Sequence, residues 1–169
     1  YTEKGQAWND TNDVGLQHIY PCGCVGLGSD KRMLKIARNT FRAKEKYCWL
    51  DGNAVSSFFP MAARLGKDGK TIVKKLKELN REIMLPNMLY DFGAGCLENS
   101  SIFANTLHEM VMQSHEGVIR LFPSWDRSLD CRFEKLRADG AFLVSSEIES
   151  GEIMPITLKI RLPNRLSSG

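Results

Sequence analysis

Along the first two thirds of the chain apolar residues recur every three or four positions, and along the last third the period shortens to two; the first spacing marks helices, the second half-buried strands. Residues 1–28 show neither period. Gly, Asn and Asp punctuate them, and only Val14 to Tyr20 has room for a short helix before Pro21. Ser29-Asp30 predicts the cap of a helix reaching about Lys46, with Met33, Leu34, Ile36, Ala37 and Phe41 buried and a basic outer face. Beyond the apolar bridge Tyr47-Cys48-Trp49-Leu50, Asp51 opens a second helix through Asn53, Phe58, Phe59 and Met61 to Gly66, kinked or divided at Pro60. A third runs from about Asp68 to Ile83 on the stripe Ile72, Val73, Leu76, Leu79 and Ile83. Pro86 ends it, and a glycine-bearing loop through Cys96 delivers Leu97-Glu98-Asn99-Ser100-Ser101 as the cap of a fourth helix. That helix is expected to reach His115, burying Phe103, Leu107, Met110, Val111 and Ser114.

The period changes at Gly117. Residues 117–123 read as a strand stopped by Pro123, and residues 141–148 and 152–160 flank Glu149-Ser150-Gly151 as a hairpin. The fold class expected is therefore mainly α followed by β, with a helical part over 1–116 and a β-rich part over 117–169.

Composition narrows the function classes. Hydrophobic content of 43% can bury a core, and a net charge of +3 from 23 basic and 20 acidic side chains demands neither nucleic acid nor an acidic membrane as partner. The lysines at 67, 70, 74, 75 and 77 interleave with an apolar stripe and read as a solvated helix face. No run approaches the ~20 apolar residues of a membrane span. The chain opens at Tyr1 without an initiator methionine and reads as a piece of something longer. Five cysteines, at 22, 24, 48, 96 and 131, lack both a disulfide-scaffold spacing and a paired zinc spacing, so they read mainly as small buried hydrophobes and no metal or cofactor is expected. His108-Glu109 is followed by Met112 where a zincin needs its second histidine. Ser114-His115-Glu116 has the residue types of a triad, but consecutive residues at a helix end point in different directions.

Two positions carry chemistry. Glu98 stands just before a helix N-terminus, where unpaired N–H groups favour a carboxylate that stays ionised, suited to a general base or to plain capping. His18 lies beside Tyr20, a combination that can hydrogen-bond to and stack on a sugar.

The run Glu109-Met110-Val111-Met112-Gln113-Ser114-His115, then Gly117-Val118-Ile119-Arg120-Leu121-Phe122-Pro123, then Leu136-Arg137-Ala138-Asp139-Gly140-Ala141-Phe142 resembles the signature that ends the catalytic barrel of glycoside hydrolase family 95, the α-L-fucosidases and their relatives. Gln17-His18-Ile19-Tyr20-Pro21 and Ala63-Arg64-Leu65-Gly66 are similar to two upstream segments of that family. The resemblance implies an (α/α)6 barrel followed by a small β domain, of which this chain is the last helices and a small antiparallel β segment. It implies an oligosaccharide or glycoconjugate substrate, the remainder of the same barrel as partner, inverting hydrolysis of a terminal α-L-fucosyl or related sugar, and a parent protein that is secreted, periplasmic or at the cell surface. The family's base-side aspartate falls eleven residues before Glu109, at Glu98, one methylene longer. The family's Gly-Asn-Phe-Gly after that aspartate is replaced by Asn99-Ser100-Ser101-Ile102, and its two pocket tryptophans align with Asn53 and Ser57. On this resemblance Glu98 is the catalytic candidate and His18, Asn53 and Asn99 are the sugar contacts. The general acid and the water-activating asparagines lie upstream of the matched region, so the isolated chain is expected to be inactive. It is also expected to expose an apolar face where half a barrel leaves Phe58, Phe59 and Met61 uncovered. The other class left open is a non-catalytic carbohydrate-binding or structural relative in which Glu98 only caps its helix.

Overall fold

The computed structural model describes residues 11–92 and 97–160. Gly93 and Gly95 of the glycine-bearing loop, Cys96 and the last nine residues of the proposed β-rich part lie outside them. Helices come first and strands afterwards: a 3-10 turn at Val14–Leu16, then α1 (Lys31–Cys48), α2 (Val55–Arg64), α3 (Gly69–Ile83), a 3-10 turn at Leu97–Ser101 that runs straight into α4 (Ile102–Val111), and six strands.

Local signals set α1 and α3. Asp30 accepts the Met33 amide at 2.9 Å and Asp68 the Thr71 amide at 3.0 Å, each supplying an acceptor for a donor that the first helical turn leaves without one. Helix α2 ends where Gly66 takes φ +71°, with Lys67 N–H donating to Ala62 O and Gly66 N–H to Ala63 O, the paired bonds of a glycine C-cap. Pro60 sits inside α2 without dividing it, and α2 starts at Val55, later than Asp51.

Helix α2 is the centre of the helical layer. Phe58 stacks on Phe41 of α1 at 4.2 Å between centroids, and the Trp49 ring meets Phe58 and Phe59 edge-on at 5.0 and 4.8 Å. Phe58, Phe59 and Met61 are all 0% exposed, so the uncovered face expected there does not exist: Phe41 and Trp49 cover the rings that a missing half-barrel was expected to leave bare. One further burial expectation fails on α1: Met33 is exposed. Lys44, also on α1, is buried with its ammonium donating to Asn12 O at 2.8 Å. Of the cysteines described, only Cys48 is buried; Cys22 and Cys24 are exposed, because their loop lies on the surface.

Helix α4 differs most from its pattern. Its buried face is Ile102, Thr106, Glu109, Met110 and Val111, while Leu107 is 40% exposed in a groove that it shares with Trp125, Phe133 and Leu136. It also stops at Val111, not His115. The carbonyls of Val111 and Met110 accept the amides of Phe122 and Ser124, so a partner distant in sequence replaces the next helical turn. The chain then passes directly into β1 (Met112–Gln113), which pairs antiparallel with β2 (Arg120–Leu121). The expected strand over 117–123 is confined to those two residues of β2.

The larger sheet joins β3 (Cys131–Ala138) to β4 (Phe142–Glu149), with β5 (Glu152–Ile153) and β6 (Thr157–Ile160) also against β4. The hairpin around Ser150-Gly151 is present, and β3 is a strand that the two-residue period did not reveal. Two apolar clusters result, one around α2 and one joining Val111, Met112 and Phe122 to Ala138, Val144 and Ile148. Among the described residues no helix is long and apolar enough to cross a membrane.

Candidate functional site

Glu98 lies in the Leu97–Ser101 turn, one residue from Asn99, and is exposed. The turn is tied from behind: Ser101 Oγ donates to Glu98 O at 2.7 Å and Asn105 Nδ2 donates to Ser101 Oγ at 3.0 Å. Ser101 therefore caps nothing with its side chain, and among the described residues no group pairs with the Glu98 carboxylate. Asn99 points inward. It is 2% exposed, its Nδ2 donates to Gly52 O at 3.4 Å, and its buried Oδ1 has no partner.

That bond brings the Glu98 turn against the residue before Asn53. Asn53 is exposed, and its amide donates to Asp51 Oδ1 at 3.0 Å in a turn whose Asp51 carbonyl accepts the first amides of α2. Phe92 fills the space over Gly52, where an added Cβ would lie 2.8 Å from the ring, so no larger residue fits there without displacing the ring. Ser57, one turn into α2, donates its hydroxyl to Asp13. Burial raises the Asp13 carboxyl above the usual carboxylate range, and the Ser57 hydrogen bond and the Lys44 charge oppose it.

His18 is anchored elsewhere. Its carbonyl accepts the amides of Cys24 and Val25, and the next residue, Ile19, gives its carbonyl to Arg64 at the far end of α2. Burial lowers the His18 pKa below its ordinary value. The structure thus joins Glu98, Asn99 and Asn53 around the start of α2 and ties His18 to its end.

The densest polar cluster is at that end, and sequence reasoning missed it. Arg64 makes two bonds to Glu109 of α4, Nε to Oε2 at 2.9 Å and Nη2 to Oε1 at 2.7 Å, gives Nη1 to Ile19 O at 2.8 Å, and stacks on Tyr20 at 4.8 Å. Gln113 Nε2 and Ser124 Oγ donate to Ala63 O at 3.1 and 2.7 Å, holding the strand segment to the helix end. Glu116, in the left-handed region at φ +63°, accepts Gly28 N–H at 2.9 Å, Ser29 Oγ at 3.0 Å and Arg120 Nη1 at 3.0 Å. Burial works to raise its pKa; those donors and the Arg120 charge outweigh burial and hold the carboxyl below its usual range. One signal was present in the sequence. Arg64 is the only charge in the apolar run 54–65, and a charge in such a run needs a buried partner.

Ser114 Oγ accepts the Asp139 amide at 3.1 Å and lies apart from the His115 and Glu116 contacts, as the directions of adjacent residues require. Among the described residues no group of three or more His, Cys, Asp or Glu is placed to hold a metal ion. No family model matches the chain, and no curated protein matches it.

Proposed function

We propose that the chain is part of an inverting exo-glycosidase related to glycoside hydrolase family 95, acting on a terminal α-L-fucosyl or related sugar. In this reading α1–α4 are the last helices of an (α/α)6 barrel completed by the rest of the protein, and the strands begin its β domain. Glu98 stands on the base side, orienting or deprotonating the attacking water, and exposed Asn53 contacts the sugar, while buried Asn99 holds the Glu98 turn and His18, at the other end of α2, lies apart from this group. Inversion needs a second group about 6.5–9.5 Å across the scissile bond, which the rest of the barrel supplies.

One observation carries the reading: an exposed carboxylate without a described partner sits on a turn fastened through Asn99 to Gly52, so that it is held in place while its oxygens stay available. The carboxylate of Glu109, by contrast, is taken up by two bonds from Arg64. A second reading, a non-catalytic relative, draws on the place of Glu98 in the first turn of a helical segment, where a negative charge is favourable without any chemistry.

Turnover separates the two. In the full-length protein, Glu98→Gln keeps shape and removes charge, so kcat on aryl α-L-fucosides and galactosides should fall by about 10²–10⁴ with the melting temperature nearly unchanged. Wild-type turnover in that variant would sink the assignment.

A further inference from the structure

The surface segment from His18 to Ser29 has no regular structure beyond turns, yet it is pinned at both ends. Arg64 holds Ile19 O at 2.8 Å and Pro21 O at 3.4 Å, and Glu116 holds Gly28 and Ser29. Between the pins lies His115. Its side chain is 10% exposed, and neither ring nitrogen has a hydrogen-bond partner. Nε2 stands 3.7 Å from Glu116 Oε2, beyond hydrogen-bond reach.

Two glycines lie directly on the ring. A Cβ on Gly26 would fall 2.5 Å from Nε2, and one on Gly23 would fall 3.2 Å from His115 Cβ. The imidazole is therefore the floor on which the middle of the segment rests. A buried ring whose nitrogens have no protein partner is more easily kept neutral than charged. A proton adds a second donor with no protein acceptor within hydrogen-bond reach, and burial disfavours the charge.

The neighbouring charges do not rescue the cation. Arg64 faces it from α2, Glu109 from α4, Glu116 from the next residue and Arg120 from β2, while residues 22–26 of the overlying loop present no charge: Gly23 and Gly26 lie on it, Cys22 and Cys24 are exposed, and Val25 is buried in the cluster around α2. Two cations oppose two anions. Burial then decides, and with Arg64 as the largest of the charges it lowers the His115 pKa below its ordinary value.

We infer that His115 is an acid-sensitive pin for this segment: neutral, it seats Gly23–Gly26 against the helical layer, and its protonation releases residues 22–27. The sign follows from linkage. A histidine whose folded pKa lies below the unfolded value stabilises the docked state fully above about pH 6.5 and loses that contribution as pH falls below it. Glu116 stays ionised through that window, because its own carboxyl is held below the usual 4.5, so the middle of the segment lifts before its Glu116 anchor fails. The device does not depend on the glycosidase reading, since what it controls is docking and not turnover.

Amide hydrogen exchange on the 169-residue chain tests it, with residues 22–27 read against the amides of α2 from about pH 7.5 to about pH 5. In the wild type, relative protection of the segment should fall as pH drops, by up to about tenfold for each unit by which the pKa is depressed. In His115→Phe, which keeps a ring and cannot be protonated, the fall should be clearly smaller, the remainder being what His18, also lowered by burial, contributes through the same segment; His115→Gln serves if the Phe variant does not fold. Undiminished protection in the wild type, or an equal loss in the variants, would overturn the inference. So would an imidazole nitrogen titration of His115 with its midpoint at or above about 6.5.

Discussion

The two ends of α2 use polar residues in opposite ways. At its C-terminal end Arg64, Glu109, Gln113 and Ser124 are buried and make six bonds of 3.1 Å or less, five of them to partners at least 45 residues away. At its N-terminal end a single 3.4 Å bond from Asn99 to Gly52 connects two turns, while Glu98 and Asn53 face solvent. Side chains whose hydrogen-bonding capacity is used internally hold the helical and β layers together. At the other end Glu98 and Asn53 are exposed, and it is to these that the proposed function assigns a ligand.

The comparison breaks most directly at Arg64. Removing one partner of a buried ion pair leaves the other charged and desolvated, so Arg64→Ala should cost about 3–5 kcal/mol in denaturant unfolding. The double change Arg64→Met with Glu109→Leu should cost far less, because it removes both charges and keeps apolar volume. A loss under about 1 kcal/mol for the single variant would mean that this end is no tighter than the other.

Gly26→Ala comes next. The added methyl would meet His115 Nε2 at 2.5 Å and Glu116 Oε2 at 3.0 Å, so ring or loop must move, at about 1–3 kcal/mol. Protection of Gly28 in hydrogen exchange should drop with it. Unchanged stability and protection would show that the glycine loop is not seated on His115.

What was legible in the sequence divides along the same line. The caps of α1 and α3 and the glycine end of α2 are local, set by Asp30, Asp68 and Gly66 acting on amides or carbonyls within a turn. The face and end of α4 are not local: counting apolar residues put Leu107 inside, whereas the buried face includes Thr106 and Glu109, a carboxylate acceptable there only because Arg64, 45 residues away, neutralises it. Strand β3 was hidden by its charges and by a bulge. Register shifts between Phe133 and Leu136, Lys135 takes φ +56° with its amide donating to Ser145 Oγ, and the alternation is lost. Of the candidate site, the contact between the Glu98 turn and the Asn53 turn joins residues 47 apart, which no periodicity encodes.

A smaller effect sharpens the contrast through pH. Glu116→Gln gives up the charge on three hydrogen bonds and should cost about 1–2 kcal/mol near neutrality. Because the native carboxyl is held below 4.5, its contribution is present above that pH and is lost as pH falls through the lower folded value, so wild type and variant should converge in acid. Asp13, raised by burial, has the reverse sign: its contribution is full below the unfolded value of 3.8 and is lost as pH rises through the folded one. Asp13→Asn should therefore compare more favourably with wild type at neutral pH than at pH 3. Melting curves from about pH 3 to pH 7 check both slopes, and a wild-type advantage over Asp13→Asn that grows towards neutrality would contradict the second.

The smallest effect is expected at Glu98. Its carboxylate is exposed, it has no described partner, and its turn is held by the main-chain carbonyl of Glu98 and by Asn99, all of which Gln leaves in place. Only the attraction between the charge and the helix start is lost, about 0.3–1 kcal/mol at low salt and less at physiological ionic strength. Asn99→Ala should cost more than Glu98→Gln, because it removes a buried amide and frees the Glu98 turn from Gly52. Unfolding of both variants in the same denaturant series measures that order. If Glu98→Gln proves the costlier change, the carboxylate is engaged in the folded chain, and the contrast between a tied end and an available end of α2 fails at the residue on which the proposed chemistry depends.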